Sequence, residues 1–412
     1  MGSSFPAQSG IPGVRLVAKS KIDNVNYFEN LNLLGDDWGS AFVSPMNTLF
    51  GSGNSTFSKF SEWVAESVSS GPAVAANSKL YTPGSTTQRP SVYDEAANTW
   101  SETGLAYPDI NDLLACSQTG SFDYGGKCYY YANISTPANA AFNFRVYDPV
   151  LNSWTALASL PATPTNLICV AYAFMGTSGG YAYFMQAAKS TSATYVPSNF
   201  PTIYRYNFAS NVWSDLAVVP PIINNGAASG DGSYSSVLLK TNSASCKYSA
   251  TKFLINFKIS KIDGAYLRSI FHNNIFLFDT VTNQFSRFCN FHPCIQPPGI
   301  SADYLQSQLA DTRIFYQDGV LFMWSPLFSG LMAYVEATGR QYHVPISAAT
   351  LLGPMIAFDN GKIFMWGGSW GMSAVQSSST LYNTSGLIID LAKLSAFLKS
   401  SKTIGIKMPV FA

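Results

Sequence analysis

The sequence predicts an all-β propeller of four-stranded antiparallel blades, with seven blades favoured and six the alternative. Three observations carry that expectation. A short aromatic-turn-aromatic phrase recurs along the chain, tight-turn dipeptides introduce apolar strands, and copies return after roughly fifty residues.

The phrase is clearest in "RVYDPVLNSWTALASLP", Arg145 to Pro161. It returns as "SVYDEAANTWSETG" from Ser91, "YRYNFASNVWSDLAVVP" from Tyr204, "FLFDTVTNQFSRF" from Phe276 and "MAYVEATGRQYHV" from Met332. Aligning the closing aromatic of each copy gives Trp100, Trp154, Trp213, Phe285 and Tyr342, separated by 54, 59, 72 and 57 residues. Such a period belongs to architectures in which one unit cannot bury its own apolar face. Within a copy, the alternation around Tyr147 fits a strand of period two. Asp148-Pro149 and Asn152-Ser153 then supply turn chemistry before a second strand enters at Trp154. The closing aromatic is expected to fill the wedge between neighbouring sheets.

A further apolar strand precedes most copies, introduced by a tight turn: "GGKCYYYAN" at Gly125, "GGYAYFMQA" at Gly179, "DGVLFMWS" at Asp318 and "NGKIFMWGG" at Asn360. Asp-Gly and Asn-Gly pairs tolerate the positive φ that two-residue hairpin turns require. Earlier strands are expected in "LICVAYAFM" from Leu167, "SSVLLK" from Ser235 and "MIAF" from Met355. Three or four short strands per unit is the count for one blade.

With these strands in place the chain resembles the kelch-repeat β-propellers. The closest piece is "DNGKIFMWGGSWG" followed by "STLYNTSG", in which an apolar strand ends in Gly367 and Gly368 and the next carries Tyr382. "VYDPVLNSW" is the second, and the resemblance spans roughly residues 45 to 390. The family's glycine doublet follows its strand in one copy, whereas Gly125-Gly126 and Gly179-Gly180 precede theirs.

Beyond the five clear units, "TLYNTSGLI" makes a sixth with Ile388 in the aromatic's place, and "NTLFGSGNSTFSKFSEW", ending at Trp63, makes a seventh. Closure requires a strand from one terminus to complete the blade formed by the other, and "GVRLVA" from Gly13 or "TIGIKMPVF" from Thr403 is expected to supply it. The division is an N-terminal extension over 1–44, the propeller over 45–390, and a C-terminal segment over 391–412 with a helix and a closure strand.

Apolar residues make up 47% of the 412, enough for a substantial core, while charged residues are 11% against about 25% in an average domain. The polar surface is therefore made of Ser, Thr, Asn, Gln and Tyr. A net charge of +1 with no dense basic run gives phosphate neutralisation nothing to work with, so nucleic acid is not an expected partner. No apolar run reaches the length of a membrane helix. "MGSSFPAQSGIPG" has neither a basic region nor an apolar core, so no cleaved leader is expected. Sequons at Asn54, Asn133 and Asn383 then have no route to glycosylation. The six cysteines, at 116, 128, 169, 246, 289 and 294, read as buried free thiols in preference to disulfides.

Catalytic and metal constellations are weak. "FCNFHPCI" brings Cys289, His292 and Cys294 together without the paired spacing or fourth ligand of a zinc site, and His272 and His343 stand apart. A copper-radical oxidase would need paired histidines beside a cross-linked tyrosine. "SFDYGG" from Ser121 gives the Ser-x-Asp-x-Gly turn of sialidases once, and Asp109 with Asp112, or Asp36 with Asp37, have no neighbours that would set their pKa values apart. No Gly-x-Ser-x-Gly elbow or phosphate loop occurs. No catalytic, cofactor-binding or metal residue is therefore assigned, and no cofactor is expected. The residues singled out are structural: the blade aromatics Trp63, Trp100, Trp154, Trp213, Phe285 and Tyr342. A helical stripe of Leu387, Leu391, Leu394 and Leu398 packs on the protein's own propeller or docks a neighbouring subunit.

Propellers without a catalytic motif bind through loops on a rigid ring. A charge-poor, exterior-like surface on a chain without an export signal fits a non-enzymatic component of a virus or bacteriophage particle, structural or host-attaching. Such a protein is made in the cytoplasm and located in the virion. Its expected partners are other virion proteins or a host-surface molecule, a glycan among the options. A cytoplasmic kelch-type interaction scaffold is the alternative, and a carbohydrate-active or oxidase propeller enzyme the third reading.

Overall fold

The structure is a computed structural model of the chain. It describes residues 57–60, 73–82, 91–102, 119–132, 143–161, 167–190, 202–218, 244–256, 259–263, 266–270, 274–290, 313–325, 330–345, 351–352, 355–366, 369–370, 381–382, 386–400 and 406–407.

The strands follow the expected hairpin phrases. After β1 (Phe57–Phe60), blade I is β2 (Val74–Ala76), β3 (Lys79–Thr82), β4 (Ser91–Asp94) and β5 (Thr99–Glu102). Blade II is β6 (Thr119–Tyr124), β7 (Lys127–Ala132), β8 (Asn143–Asp148) and β9 (Ser153–Ala156). Blade III is β10 (Leu167–Ser178), β11 (Tyr181–Ser190), β12 (Thr202–Asn207) and β13 (Val212–Asp215). Blade IV begins with β14 (Ala244–Lys247) and β15 (Lys252–Asn256), is interrupted by the hairpin β16 (Ile259–Asp263) and β17 (Tyr266–Ile270), and ends with β18 (Asn274–Asp279) and β19 (Gln284–Asn290). A further sheet holds β20 (Arg313–Gln317), β21 (Val320–Ser325), β22 (Gly330–Val335) and β23 (Arg340–Pro345).

After β24 (Leu351–Leu352) the chain builds β25 (Met355–Asp359), β26 (Lys362–Trp366), β27 (Ser369–Trp370), β28 (Leu381–Tyr382) and β29 (Gly386–Asp390). Helix α1 (Leu391–Ser400) and β30 (Ile406–Lys407) follow.

The protein is an all-β propeller with four-stranded antiparallel blades. The first strands lie against one another in the order β25, β2, β6, β10, β14 and β20, and the fourth strands lie toward the opposite edge of each sheet. Five blades are four-stranded, not the seven or six expected: blades I to IV and a closing blade of order β1-β29-β26-β25. The sheet β20 to β23 completes the ring and is five-stranded, because β30 adds to its outer edge through Gln341↔Ile406 and Arg340↔Lys407.

The overcount has a definite cause. The two terminal units counted separately in the sequence are halves of one sheet, in which Phe57–Phe60 pairs with the third strand β29 from Phe57↔Ile389 to Phe60↔Gly386. Closure is thus by a terminal strand, as expected, but the strand is β1 rather than "GVRLVA" or "TIGIKMPVF". The second of these supplies β30 to a different sheet, and the first lies outside the described residues, as do Trp63 and "SSVLLK". Ile388 sits in the third strand of the closing blade and not in an aromatic's place, while Tyr382 belongs to a separate small sheet, β24-β27-β28.

The core is distributed between the sheets. Among the described residues six apolar clusters form, one at each junction of adjacent sheets; the largest brings Phe315, Phe322, Trp324, Ile363, Ile389 and the leucines of α1 together. This is the burial a repeat unit requires of its neighbours.

Candidate functional site

Strand direction divides the ring into two unlike faces. In blades I to IV and the five-stranded sheet the first strand joins the second, and the third the fourth, at the same end; in the closing blade β25 joins β26 there. In blade I, for example, Ala76↔Lys79 and Asp94↔Thr99 close both turns there. These turns are tight: Asn77-Ser78, Gly125-Gly126, Gly179-Gly180, Asp318-Gly319 and Asn360-Gly361 carry positive φ at both positions, which suits two-residue hairpins. The longer connections, between second and third strands and between blades, leave from the opposite end, where β16-β17 and β24-β27-β28 also arise.

The short-turn face is built from one repeated module. The third strand ends in an aromatic followed by Asp, Tyr93-Asp94, Tyr147-Asp148 and Phe278-Asp279, and the Asp side chain accepts the N–H groups two and three residues on: Asp94 from Ala96 and Ala97, Asp148 from Val150 and Leu151, Asp279 from Val281 and Thr282. Asn207 does the same in blade III, from Ala209 and Ser210. These are Asx turns, with a short polar side chain standing in for backbone. Each aspartate also meets the lysine that opens the second strand: Lys79–Asp94 at 3.0 Å, Lys127–Asp148 at 2.9 Å and Lys252–Asp279 at 3.4 Å. The lysine holds the Asp94 and Asp148 carboxyls below the ordinary carboxylate range, whereas for Asp279 the N–H of Val281 contributes most. Blade III, with Asn207 in place of aspartate, has Tyr181 opposite it instead of lysine, and Arg205 lies 4.5 Å over that ring.

The tyrosine of the module does two things. Its ring meets the aromatic of the fourth strand directly across the ladder: Tyr93 with Trp100 at 5.2 Å, Tyr147 with Trp154 at 5.0 Å, Tyr206 with Trp213 at 5.1 Å, and Phe278 with Phe285 at 4.8 Å. Its hydroxyl donates to the asparagine five residues on, at 2.8 Å in Tyr93–Asn98, Tyr147–Asn152 and Tyr206–Asn211. Those asparagines occupy the left-handed region that lets the fourth strand begin. Burial pushes the Tyr93 and Tyr206 hydroxyls up to about 12.

Trp100, Trp154, Trp213 and Phe285 thus pack at sheet junctions, and Trp213 also donates Nε1–H to the carbonyl of Ala158 in blade II at 3.0 Å. Tyr342 departs from the expected alignment by one residue. Gln341 stands opposite Tyr334 in the tryptophan's place, and Tyr342 turns to the next junction, because a one-residue offset in a strand reverses the face.

Neighbouring modules are tied to one another all round this face. Asn360 Nδ2 donates to Ser78 Oγ at 3.3 Å and Lys362 pairs with Glu95, joining the closing blade to blade I. Asn77 Nδ2 donates to the Gly126 carbonyl at 3.0 Å, and Tyr124 stacks on Phe208 at 3.7 Å. Ser178 and Thr280 share a hydrogen bond at 3.2 Å. Tyr248 of blade IV donates to Glu336 Oε1 at 2.9 Å while Tyr316 takes Oε2 at 2.6 Å. Burial and that carboxylate together push the Tyr316 hydroxyl up. Helix α1 closes the circuit: Leu391 N–H donates to Gly361, Ser395 Oγ to the Gln317 carbonyl and Lys399 Nζ to the Asp318 carbonyl.

The leucine stripe is spent in that helix's own packing. Leu391, Leu394 and Leu398 are buried between the five-stranded sheet and the closing blade, and Leu387 lies in β29 opposite Met365. Lys393 N–H donates to Asp390 at 3.0 Å, capping the helix.

Of the weighed chemical candidates, His272, His292, Cys116 and Cys294 lie outside the described residues. Cys128, Cys246 and Cys289 are free thiols whose pKa burial pushes up. Ser121 Oγ donates to the Ala73 carbonyl, so "SFDYGG" is the end of an inner strand and its turn. Among the described residues no three His, Cys, Asp or Glu side chains gather as metal ligands. Asn256 Oδ1 and Trp324 Nε1 are buried without a partner near the long-connection ends of their strands.

What the arrangement provides is a stiff platform of interlocked turns on one side, from which longer segments depart on the other. No family model matches the chain, and none of the curated proteins matches it.

Proposed function

We propose that this protein is a non-enzymatic propeller of a virus or bacteriophage particle, acting as a structural component or as the element that engages a host-surface molecule. One observation carries the reading: a ring whose tight turns are tied together on one face, while the longer connections between second and third strands and between blades leave from the other. Rigid scaffolds of this kind position loops for recognition, because the loops then lose little entropy in being held ready. Charged residues at 11% support contacts made through neutral polar and aromatic groups. The protein would be made in the cytoplasm and located in the virion. It would contact other virion proteins or a host-surface molecule such as a glycan, without nucleic acid and without membrane insertion.

A kelch-type interaction scaffold in the cytoplasm is the second reading. The repeated tyrosine-tryptophan pair of blades I to III favours it. Sedimentation of the native protein from a lysate of its source, with mass spectrometry of what travels with it, separates the two. Co-sedimentation with megadalton particles supports the virion reading. A species of the chain's own 44.6 kDa, or a small soluble complex, overturns it and leaves the scaffold, with an oxidase and glycosidase screen to follow.

A further inference from the structure

We propose that Tyr248 and Tyr316 are an oxidative cross-linking site, at which a one-electron oxidant joins blade IV to the five-stranded sheet by a carbon–carbon bond and Glu336 takes up the phenolic protons.

Three elements from two sheets meet here. Tyr248 follows β14, Tyr316 lies in β20, and Glu336 opens the outer turn after β22. The tyrosine rings stand 4.8 Å apart at 47°. Glu336 accepts from both hydroxyls, one on each oxygen: from Tyr248 at 2.9 Å and from Tyr316 at 2.6 Å. The hydroxyls also act on each other. In a phenol the ortho carbon is bonded to the carbon that bears the hydroxyl, so a carboxylate that draws two hydroxyls together draws two ortho carbons together as well. Backbone holds the arrangement in place. The Tyr248 N–H donates to the Lys252 carbonyl and the Glu336 N–H to the Gly319 carbonyl, each at 3.0 Å. The reacting groups are therefore oriented before any oxidant arrives.

Other tyrosine pairs are less well placed. Tyr81 and Tyr147 stand 6.0 Å apart and are buried, and the Tyr147 hydroxyl is turned to Asn152. Tyr181 and Tyr183 are 6.5 Å apart and meet edge to face. A phenol loses an electron most easily when a base takes its proton in the same step. Burial and the Glu336 carboxylate push the Tyr316 hydroxyl up, and the carboxylate and then burial raise that of Tyr248, so both are protonated at neutral pH and need that acceptor. The thiols of Cys246 and Cys289 in the same apolar cluster are kept protonated by burial, which removes the thiolate that would compete for the oxidant.

The step balances. One equivalent of oxidant, a high-valent metal complex or the ferryl haem of a peroxidase, removes an electron from Tyr316 while its proton passes to Glu336. Glu336 is exposed and returns that proton to water. A second equivalent repeats this at Tyr248. The two phenoxyl radicals couple between ortho carbons, and each ring regains its phenol form as the ortho hydrogen is lost to solvent and a proton returns to oxygen. One carbon–carbon bond forms, two carbon–hydrogen bonds break, and two electrons and two protons leave. The bond closes a long loop, and such cross-links stabilise by restricting the unfolded chain. The chemistry needs no particle, so it stands apart from the virion reading.

The test is photo-oxidation of the dilute full chain with ruthenium tris-bipyridyl and persulfate, followed by dityrosine fluorescence of the monomer and mass mapping of its peptides. Wild type should yield a peptide pair joined through Tyr248 and Tyr316, lighter than its parts by two hydrogens. The product should melt at least about 5 °C above the untreated protein. Tyr248→Phe and Tyr316→Phe should each remove that pair, and Tyr181→Phe should leave it. Glu336→Gln should lower its yield per light pulse at least about tenfold near neutral pH, with recovery as pH rises and solvent base replaces the carboxylate. Oxidised wild type without this pair, or with cross-links spread over other tyrosines, would overturn the proposal. Glu336→Gln cross-linking like wild type at every pH would overturn the carboxylate's part in it. Circular dichroism checks that each variant is folded, and the two phenylalanine variants answer independently if one is not.

Discussion

The hydroxyl of Tyr147 donates to Asn152 Oδ1 at 2.8 Å, and blade IV lacks the donor that would do the same. There the tyrosine is Phe278, and Asn283, still at positive φ, leaves its Oδ1 buried without a partner. Phe278→Tyr should therefore stabilise the protein by about 1 kcal/mol, and Tyr147→Phe should cost about as much by leaving Asn152 unpaired in the same way. Urea unfolding of both variants checks the pair. Equal midpoints for Phe278→Tyr and wild type would show that Asn283 is satisfied by solvent.

Acid should weaken the rim in a predictable direction. Asp94, Asp148 and Asp279 have folded pKa values below the unfolded value of about 3.9. Below that value the unfolded chain binds more protons. The stability these groups contribute is complete above it and is lost as pH falls through the folded pKa. Asp148→Asn should keep both N–H bonds, as Asn207 does in blade III, and flatten part of the acid limb. Urea midpoints from about pH 6 to about pH 2 provide the comparison, and an unaltered limb counts against the lysine-aspartate pairs.

Gly176 should not accept a side chain. Its φ is +152°, and a Cβ there would lie 2.4 Å from the ring of Phe253, which is fully buried between blades III and IV. Gly176→Ala should cost about 1–3 kcal/mol through forced repacking. Gly179→Ala, strained in backbone but facing open space, should cost about 1 kcal/mol. Thermal melts rank the two, and the reverse order would be inconsistent with this packing.

Removing residues 1–60 should uncover the edge of β29 from Gly386 to Ile389. Exposed edges recruit other strands, so the truncated chain should melt earlier and scatter light on heating. Adding back a peptide of residues 50–64 should reverse part of both effects; a truncated chain as stable and soluble as the full one would deny β1 its place.

Much of the blade could be read in advance because it is local. "VYDPVLNSW" states its strand, Asx turn, left-handed asparagine and closing aromatic within one hairpin, and those signals need no other part of the chain. What escaped was set by distance or by parity. Nothing near Phe57 announces that its partner is Ile389, so by sequence alone one sheet counts as two. Chemistry aligns Tyr342 with the closing aromatics, but the four-residue turn between Val335 and Arg340 fixes Gln341 opposite Tyr334. The leucines of α1 have the spacing of any amphipathic helix, and only the ring shows which surface covers them. The tie between turns was invisible for the same reason, since Asn77 and Gly126 meet only once two blades stand side by side.

The pairing of Phe57 with Ile389 also sets a schedule for synthesis. On the ribosome, the first outer strand emerges long before the strand it must join, roughly tens of seconds at ordinary elongation rates. Throughout that interval the early blades can form in order, each against the one before it, while Phe57–Phe60 waits with its hydrogen-bonding edge unmet. The nascent chain is therefore most exposed to capture by a neighbouring polysome or a chaperone until its last blade leaves the exit tunnel, so conditions that slow late elongation should lower soluble yield more than those that slow the start.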